Sequence, residues 1–153
     1  MTARLCLDTN VLIYALDPAD PVKRKVSADL LRMTISNHTL TLSPQSLNEA
    51  YRVLTERPRT MPLVQVRAFL STLAPWATAP LDAETTRRAW VVQDETKYSW
   101  RDSLMLAAAL RAECALFVSE DLADGMTVSG MRIADPFTAG FTGNLSKSLS
   151  RKS

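Results

Sequence analysis

Two uninterrupted apolar runs that each break into acid constrain this chain more than any other feature. Leu5-Cys6-Leu7 runs straight into Asp8, and Ala115-Leu116-Phe117-Val118-Ser119 runs into Glu120-Asp121. Short runs of this kind, apolar at every position, belong to strands covered on both faces. Helical patterns separate them, so the expected class is α/β with a central, mainly parallel sheet. Right-handed crossovers bring the C-terminal ends of parallel strands to one edge, where ligands bind. Asp8 and Asp121 are therefore expected on that shared edge.

The intervening patterns have legible ends. Val11 to Leu16 reads as a short helix stopped by Asp17-Pro18. Val22 to Ser36 reads as an amphipathic one, with Val26, Leu30 and Met33 at helical spacing. Leu40 to Ser43 is a short strand; Pro44 then occupies a first helical position behind a Ser43 cap. Leu47, Ala50, Tyr51 and Leu54 form a stripe on that helix, which Pro58 stops. Further helices are expected from Pro62 to Leu73, from Asp82 to Lys97, and from Ser99–Asp102 to Ala112. Thr127-Val128 and Arg132-Ile133 suggest a closing hairpin. Residues 1–137 form one expected domain, and the Ser-, Thr-, Gly- and Lys-rich segment 138–153 reads as a flexible tail.

Composition narrows the chemistry. A chain of 153 residues with 46% hydrophobic and 22% charged residues is an ordinary single domain. No apolar run approaches the ~20 residues of a membrane span, and no leader pattern opens the chain, so a cytoplasmic location is expected. Cys6 and Cys114 lie in or beside apolar runs, outside any CxxC pair, and His38 is the only histidine. That leaves no recognisable zinc site and no histidine acid–base pair. A Cys6–Cys114 disulfide would be unusual in a reducing compartment. Net charge is +2, but without Lys147, Arg151 and Lys152 the body is near −1, so composition does not announce a nucleic-acid partner.

Each candidate acid has two readings. Asp8 suits a site, and equally a helix cap or an Asx turn with Thr9-Asn10. Glu49 lies off its helix's apolar stripe, facing a polar cleft or pairing with Arg52. Asp102 completes the spacing of a capping box with Ser99, where a carboxylate also suits the helix dipole. Asp121 competes with Glu120 and Asp124, both read as solvated, and Leu122-Ala123 could open a helical turn that Gly125 ends. As a set, acids on one edge without His or Cys fit hard divalent ions such as Mg²⁺ or Mn²⁺. Such ions activate water and neutralise a phosphodiester's charge. Without a cation the crowded carboxylates should repel, making the empty site unfavourable.

At these residues the chain resembles the PIN-domain nucleases, in particular the VapC-type toxins of bacterial toxin–antitoxin pairs. The resemblance runs from Leu5 to Phe137. Leu7-Asp8-Thr9-Asn10-Val11-Leu12-Ile13-Tyr14 is similar to the family's first motif, and Ser43 to Glu49 to the helix delivering its second acid. Tyr98-Ser99-Trp100-Arg101-Asp102-Ser103-Leu104 resembles the third, and Ser119-Glu120-Asp121-Leu122 the fourth. The resemblance implies a three-layer α/β/α PIN-like fold and an RNA-cleaving activity. Asp8, Glu49, Asp102 and Asp121 would hold Mg²⁺ or Mn²⁺, with Asn10 and Ser119 as an orienting polar pair. Asp121 is the least secure, since the fourth acid is degenerate in several members. The implied partners are RNA, a cognate antitoxin and a second copy in a homodimer. The apolar faces of Val11–Leu16 and Leu63–Leu73 are candidate partner surfaces, though core packing is the favoured reading, since an apolar helical stripe needs no partner to explain it.

Arg101 departs from the family pattern, standing beside the third acid to contact a phosphate or to pair with an acid as a latch. Arg57, Arg59, Arg87 and Arg88 are further phosphate candidates, each also readable as solvated charge. Three rivals compete. A haloacid-dehalogenase-like phosphohydrolase needs Asp-x-Asp, but Asn10 stands at the third position. A noncatalytic PIN-like module that binds RNA or protein would have no need of four crowded acids. A structure-specific DNA nuclease would need additional elements.

Overall fold

The computed structural model describes residues 3–56 and 61–141. Its five-stranded sheet has the order β2-β1-β3-β5-β4, formed by β1 (Arg4–Leu7), β2 (Leu40–Thr41), β3 (Cys114–Val118), β4 (Thr127–Val128) and β5 (Met131–Ala134). β1, β2, β3 and β5 pair in parallel. Only β4 runs antiparallel, closing the expected hairpin with β5 through Gly130 at φ +88°. The helices are α1 (Thr9–Leu16), α2 (Pro21–Ser36), α3 (Pro44–Glu56), α4 (Leu63–Leu73), α5 (Ala83–Thr96) and α6 (Trp100–Arg111), with a short 3-10 turn at Ala74–Trp76. The elements match the sequence pattern closely; Pro58, with Arg57 and Arg59, lies outside the described residues.

Side-chain alternation along the strands divides the interior into two cores. Leu5, Leu7, Leu116 and Val118 face one side and meet Val11 and Leu12 of α1, Leu30 and Leu31 of α2, Ala50 of α3 and Val66 and Leu70 of α4. Cys6, Phe117 and Ile133 face the other and meet Ala89 and Val92 of α5 and Met105 to Ala109 of α6. The sheet thus lies between two helical layers, as an α/β/α sandwich requires. The apolar stripes of α1 and α4 are core rather than free surface; on α4 only Val64 among the large apolar residues is well exposed. One register shift matters: Arg4 pairs with Cys114 but Leu5 with Leu116, so β3 carries an extra residue at Ala115. This bulge turns Cys114 to the same core as Cys6, and both cysteines are buried without a disulfide between them.

Side-chain caps meet several of the helix N-termini. Asp20 caps α2 by accepting from the Lys23 N–H, and Asp82 caps α5 by accepting from the Thr85 N–H. Ser43 accepts from the Gln45 N–H at the start of α3. Lys97 ends α5 in the left-handed conformation, at φ 63°. Packing continues past the expected boundary at Thr138, because Phe141 is buried in the first core. Residues 142–153, the rest of the expected tail, lie outside the described residues. Among the described residues no helix is long and apolar enough to cross a membrane.

Two stability measurements check this packing. Leu12, fully enclosed in the first core, should cost about 2–5 kcal/mol when replaced by alanine, read from urea unfolding. Lys97→Gly relieves a left-handed position that favours glycine and should raise stability by up to about 1 kcal/mol; a loss would show that the Lys97 conformation is not strained.

Candidate functional site

The parallel pairing of β1 and β3 aligns Leu7 with Val118. The next residue on each strand, Asp8 and Ser119, therefore emerges on the same edge. The Asp8 N–H continues the ladder to the Val118 carbonyl at 2.9 Å, and the Ser119 N–H bonds the Ala134 carbonyl at 3.0 Å. Asp8 is only 2% exposed. One carboxylate oxygen accepts from the Thr9 N–H at 2.7 Å and the other from the Ser119 hydroxyl at 2.8 Å. Asp8 thus caps α1 and faces the site at once; the two readings of this residue are not exclusive. Burial pushes its carboxyl up from the ordinary range, against the lowering effect of Ser119, Thr9 and Arg101.

Two helix N-terminal regions reach the same edge. α3 starts just after β2 and presents Glu49 from its second turn. α6 presents Asp102 from its first turn. Ser99 caps α6 by accepting from the Asp102 N–H at 3.1 Å, while its hydroxyl donates to the Asp102 carboxylate at 3.0 Å. The expected capping box is therefore half formed, with the carboxylate bonded to the Ser99 hydroxyl instead of its backbone N–H. Glu49 does not pair with Arg52, which bonds Glu56. Its oxygens instead accept from Thr9 at 3.1 Å, Gln45 at 3.2 Å and Arg101.

Arg101 occupies the middle of these acids. Its Nε lies 2.9 and 2.8 Å from the two Glu49 oxygens, and its Nη2 also bonds Glu49. Nη1 donates to Asp102 at 2.9 Å, and Nη2 lies 3.9 Å from Asp8 and 3.3 Å from the Thr9 hydroxyl. Of the two roles expected for Arg101, the latch is the one formed. Burial works against its charge, yet Glu49 first, then Asp8 and Asp102, hold its pKa above the ordinary value. Burial likewise works to raise the Glu49 carboxyl, but Arg101, Gln45 and Thr9 together hold it below the usual range. The repulsion expected among unaccompanied carboxylates is thus offset in part by a cation the chain itself supplies, while Asp102 still works to raise the Asp8 carboxyl.

Asp121 stands one step outside this group. Asn10 donates to its carboxylate at 2.6 Å, and the Asp121 N–H donates to the Ser119 hydroxyl at 3.1 Å. Ser119 therefore links Asp8 to Asp121, and Asn10 holds Asp121 from α1. No helical turn forms at Leu122-Ala123; the segment is a series of bends closing at Gly125, φ +85°. Glu120 is not solvated as expected. It accepts from Tyr14 and pairs with Lys23 at 2.7 Å, and its carboxylate pushes the Lys23 ammonium up to about 12. Asp124 accepts from the Asp135 N–H at 3.0 Å.

The structure brings together Asp8, Glu49, Asp102 and Arg101, with Asp121, Asn10 and Ser119 joined to them through hydrogen bonds. Thr9 and Gln45 also contact the site and were not singled out by sequence. Gln45 had a signal, since it precedes Glu49 by one helical turn; Thr9 had only its place beside Asp8. Among the described residues no three His, Cys, Asp or Glu side chains stand as an assembled metal cage. The donor set itself is all oxygen, and three carboxylates already turn toward one cationic group. Those properties fit a hard divalent ion better than a soft one.

The family described as PIN domain matches residues 5–123, a span that begins within β1 and takes in every residue of this constellation. No curated protein matches the sequence. Among solved structures, the chain is similar to one in the crystal structure of VapBC2 from Rickettsia felis bound to a DNA fragment from their promoter. The TM-score is 0.63 at 14% identity, covering 86% of this chain and 97% of that one, which is a likeness of fold. With the family match spanning most of its length and the parallel α/β/α architecture in place, the chain belongs to the PIN-domain family.

Proposed function

We propose that this protein is a divalent-metal-dependent endoribonuclease, acting as the toxin of a toxin–antitoxin pair. The observation that carries the reading is the convergence of Asp8, Glu49 and Asp102 on one cationic centre at the C-terminal edge of a parallel sheet. Asp8, Glu49 and Asp102 would hold Mg²⁺ or Mn²⁺, with Asp121 as the outermost acid. When bound, such an ion activates water and neutralises charge developing on a phosphodiester.

The chain's own residues supply the positioning. Ser119 and the Thr9 N–H fix both oxygens of Asp8, so that carboxylate presents one orientation. Gln45 and Thr9 aim Glu49. Asn10 and Ser119 together set Asp121. Asn10 spends its amide on Asp121 and has no proton to deliver to a leaving group, which disfavours the dehalogenase-like alternative.

RNA as the substrate and a homodimer as the assembly are read from the family resemblance, and the VapBC2 likeness supports an antitoxin as the silencing partner. A groove of about 400 Å³ between α3 and α4, lined by Leu47, Tyr51, Arg67 and Leu70, is the antitoxin-facing candidate nearest to Glu49 along α3. A second reading has one observation in its favour. Because Arg101 bridges the acids and offsets part of their repulsion, a noncatalytic binding module would need no metal to hold them together. Such a module should retain RNA in EDTA.

Incubating the partner-free protein with total RNA, in Mg²⁺ or Mn²⁺ against EDTA, separates the two. Discrete fragments should need metal and fall at least about 10²-fold in Asp8→Asn, since even loss of a residue supporting a metal ligand costs 10–100-fold. Ser119→Ala should lose about 10–100-fold for that reason. Equal cleavage by wild type and Asp8→Asn would sink the assignment.

The same Asp8→Asn protein offers a test independent of activity. The folded-state pKa of Asp8 is raised, so the ionised group costs stability. That cost appears as pH rises from the ordinary carboxylate range through the raised value. In EDTA at pH 7 the variant should therefore melt higher than wild type, with the difference shrinking as pH falls toward 4. A difference between the two proteins that does not change in this direction between pH 7 and pH 4 would contradict the burial penalty.

A further inference from the structure

Arg101 sits where helix electrostatics would not choose a cation. It is in the first turn of α6, where the helix dipole favours anions, so Glu49, Asp102 and Asp8 are what hold it. Its guanidinium engages both oxygens of Glu49 and one oxygen each of Asp102 and Asp8. These are the same oxygens that the metal-dependent reading requires. One guanidinium and one hydrated divalent ion cannot both take them. The side chain is also 44% exposed, so its way out toward solvent is open and needs no movement of α6.

We propose that Arg101 is a built-in plug of the metal site: its guanidinium fills the place of the divalent ion in the metal-free protein and has to leave when that ion binds. This rests on the metal-dependent reading of the site. Metal loading is then a competition within one molecule. The observed affinity is the intrinsic one reduced by the fraction of molecules whose arginine is out. A plug seated in about nine-tenths of molecules weakens binding about tenfold by that relation. Arg101 is accordingly a positioning residue, acting through the acids it holds.

The direct test follows the Arg101 Nε–H by ¹⁵N NMR on the full chain, assigned by its loss in Arg101→Lys, during a Mg²⁺ titration. In EDTA this proton, shared between two Glu49 oxygens, should exchange slowly with water. Saturating Mg²⁺ should release it to fast exchange while the Thr9 amide, bonded to Asp8, shifts in step. In parallel, calorimetry should find Mn²⁺ bound about tenfold more tightly by Arg101→Ala than by wild type. Arg101→Gln serves in its place if the alanine variant fails to fold, and Arg32→Ala, a surface partner of Asp29, should change nothing. An Nε–H that stays protected while Mg²⁺ shifts Thr9, or Mn²⁺ affinity unchanged or weaker without Arg101, overturns the plug and leaves the metal reading standing. No saturable, Asp8-dependent binding of either ion in any variant removes the metal reading and the plug with it.

Discussion

The parallel pairing of β1 with β3 is the constraint on which the site depends. Leu7 lies against Val118, so both strands end at the same level and deliver Asp8 and Ser119 side by side. The hydroxyl of Ser119 then holds Asp8 and receives the Asp121 N–H. Helices α3 and α6 bring Glu49 and Asp102 to this edge by their N-terminal portions. A slip of one residue in β1 would turn Leu5 and Leu7 away from the first core and Asp8 away from Ser119 together. Core packing and site geometry are therefore secured by the same register.

Charge balance is the second organising factor. Three carboxylates within reach of one point would repel strongly at low local dielectric. The fork of Arg101, with several donors in one plane, meets this need better than a lysine ammonium would, because it serves Glu49 and Asp102 at once. Around that centre, neutral donors from Thr9, Gln45, Asn10 and Ser119 take up carboxylate oxygens without adding charge. The acids are thereby held in place by groups that do not compete with a cation, apart from Arg101.

Much of this was legible in the sequence, for identifiable reasons. Continuous apolar strands, helix caps at Ser43, Asp82 and Ser99, and prolines at helix starts are local signals, and they located the elements; the Asp20 cap emerged only in the structure. The acids at strand ends followed from the geometry of parallel sheets, whereas the direct bond from Ser119 to Asp8, with Asp121 one step further out, emerged only in the structure. What was not legible depended on long-range contact. Pairing of Glu120 with Lys23 and Tyr14 joins residues about a hundred positions apart, so a polar stretch read as solvated became a bonded one. The bulge at Ala115, which moves Cys114 to the other core, has no residue signature in an apolar run. Arg101 was visible as an anomaly, but its choice between phosphate and carboxylate needed coordinates.

The sheet's two outermost strands bear on how copies of this chain can meet. β2 and β4 are each two residues long, so neither border offers the row of open N–H and C=O groups that another strand would need for pairing. Short borders of this kind guard a sheet against end-to-end growth. Contacts with a second copy or a partner would accordingly draw on side chains of the helix surfaces rather than on strand pairing at these two borders, and a substitution there leaves the sheet beneath undisturbed.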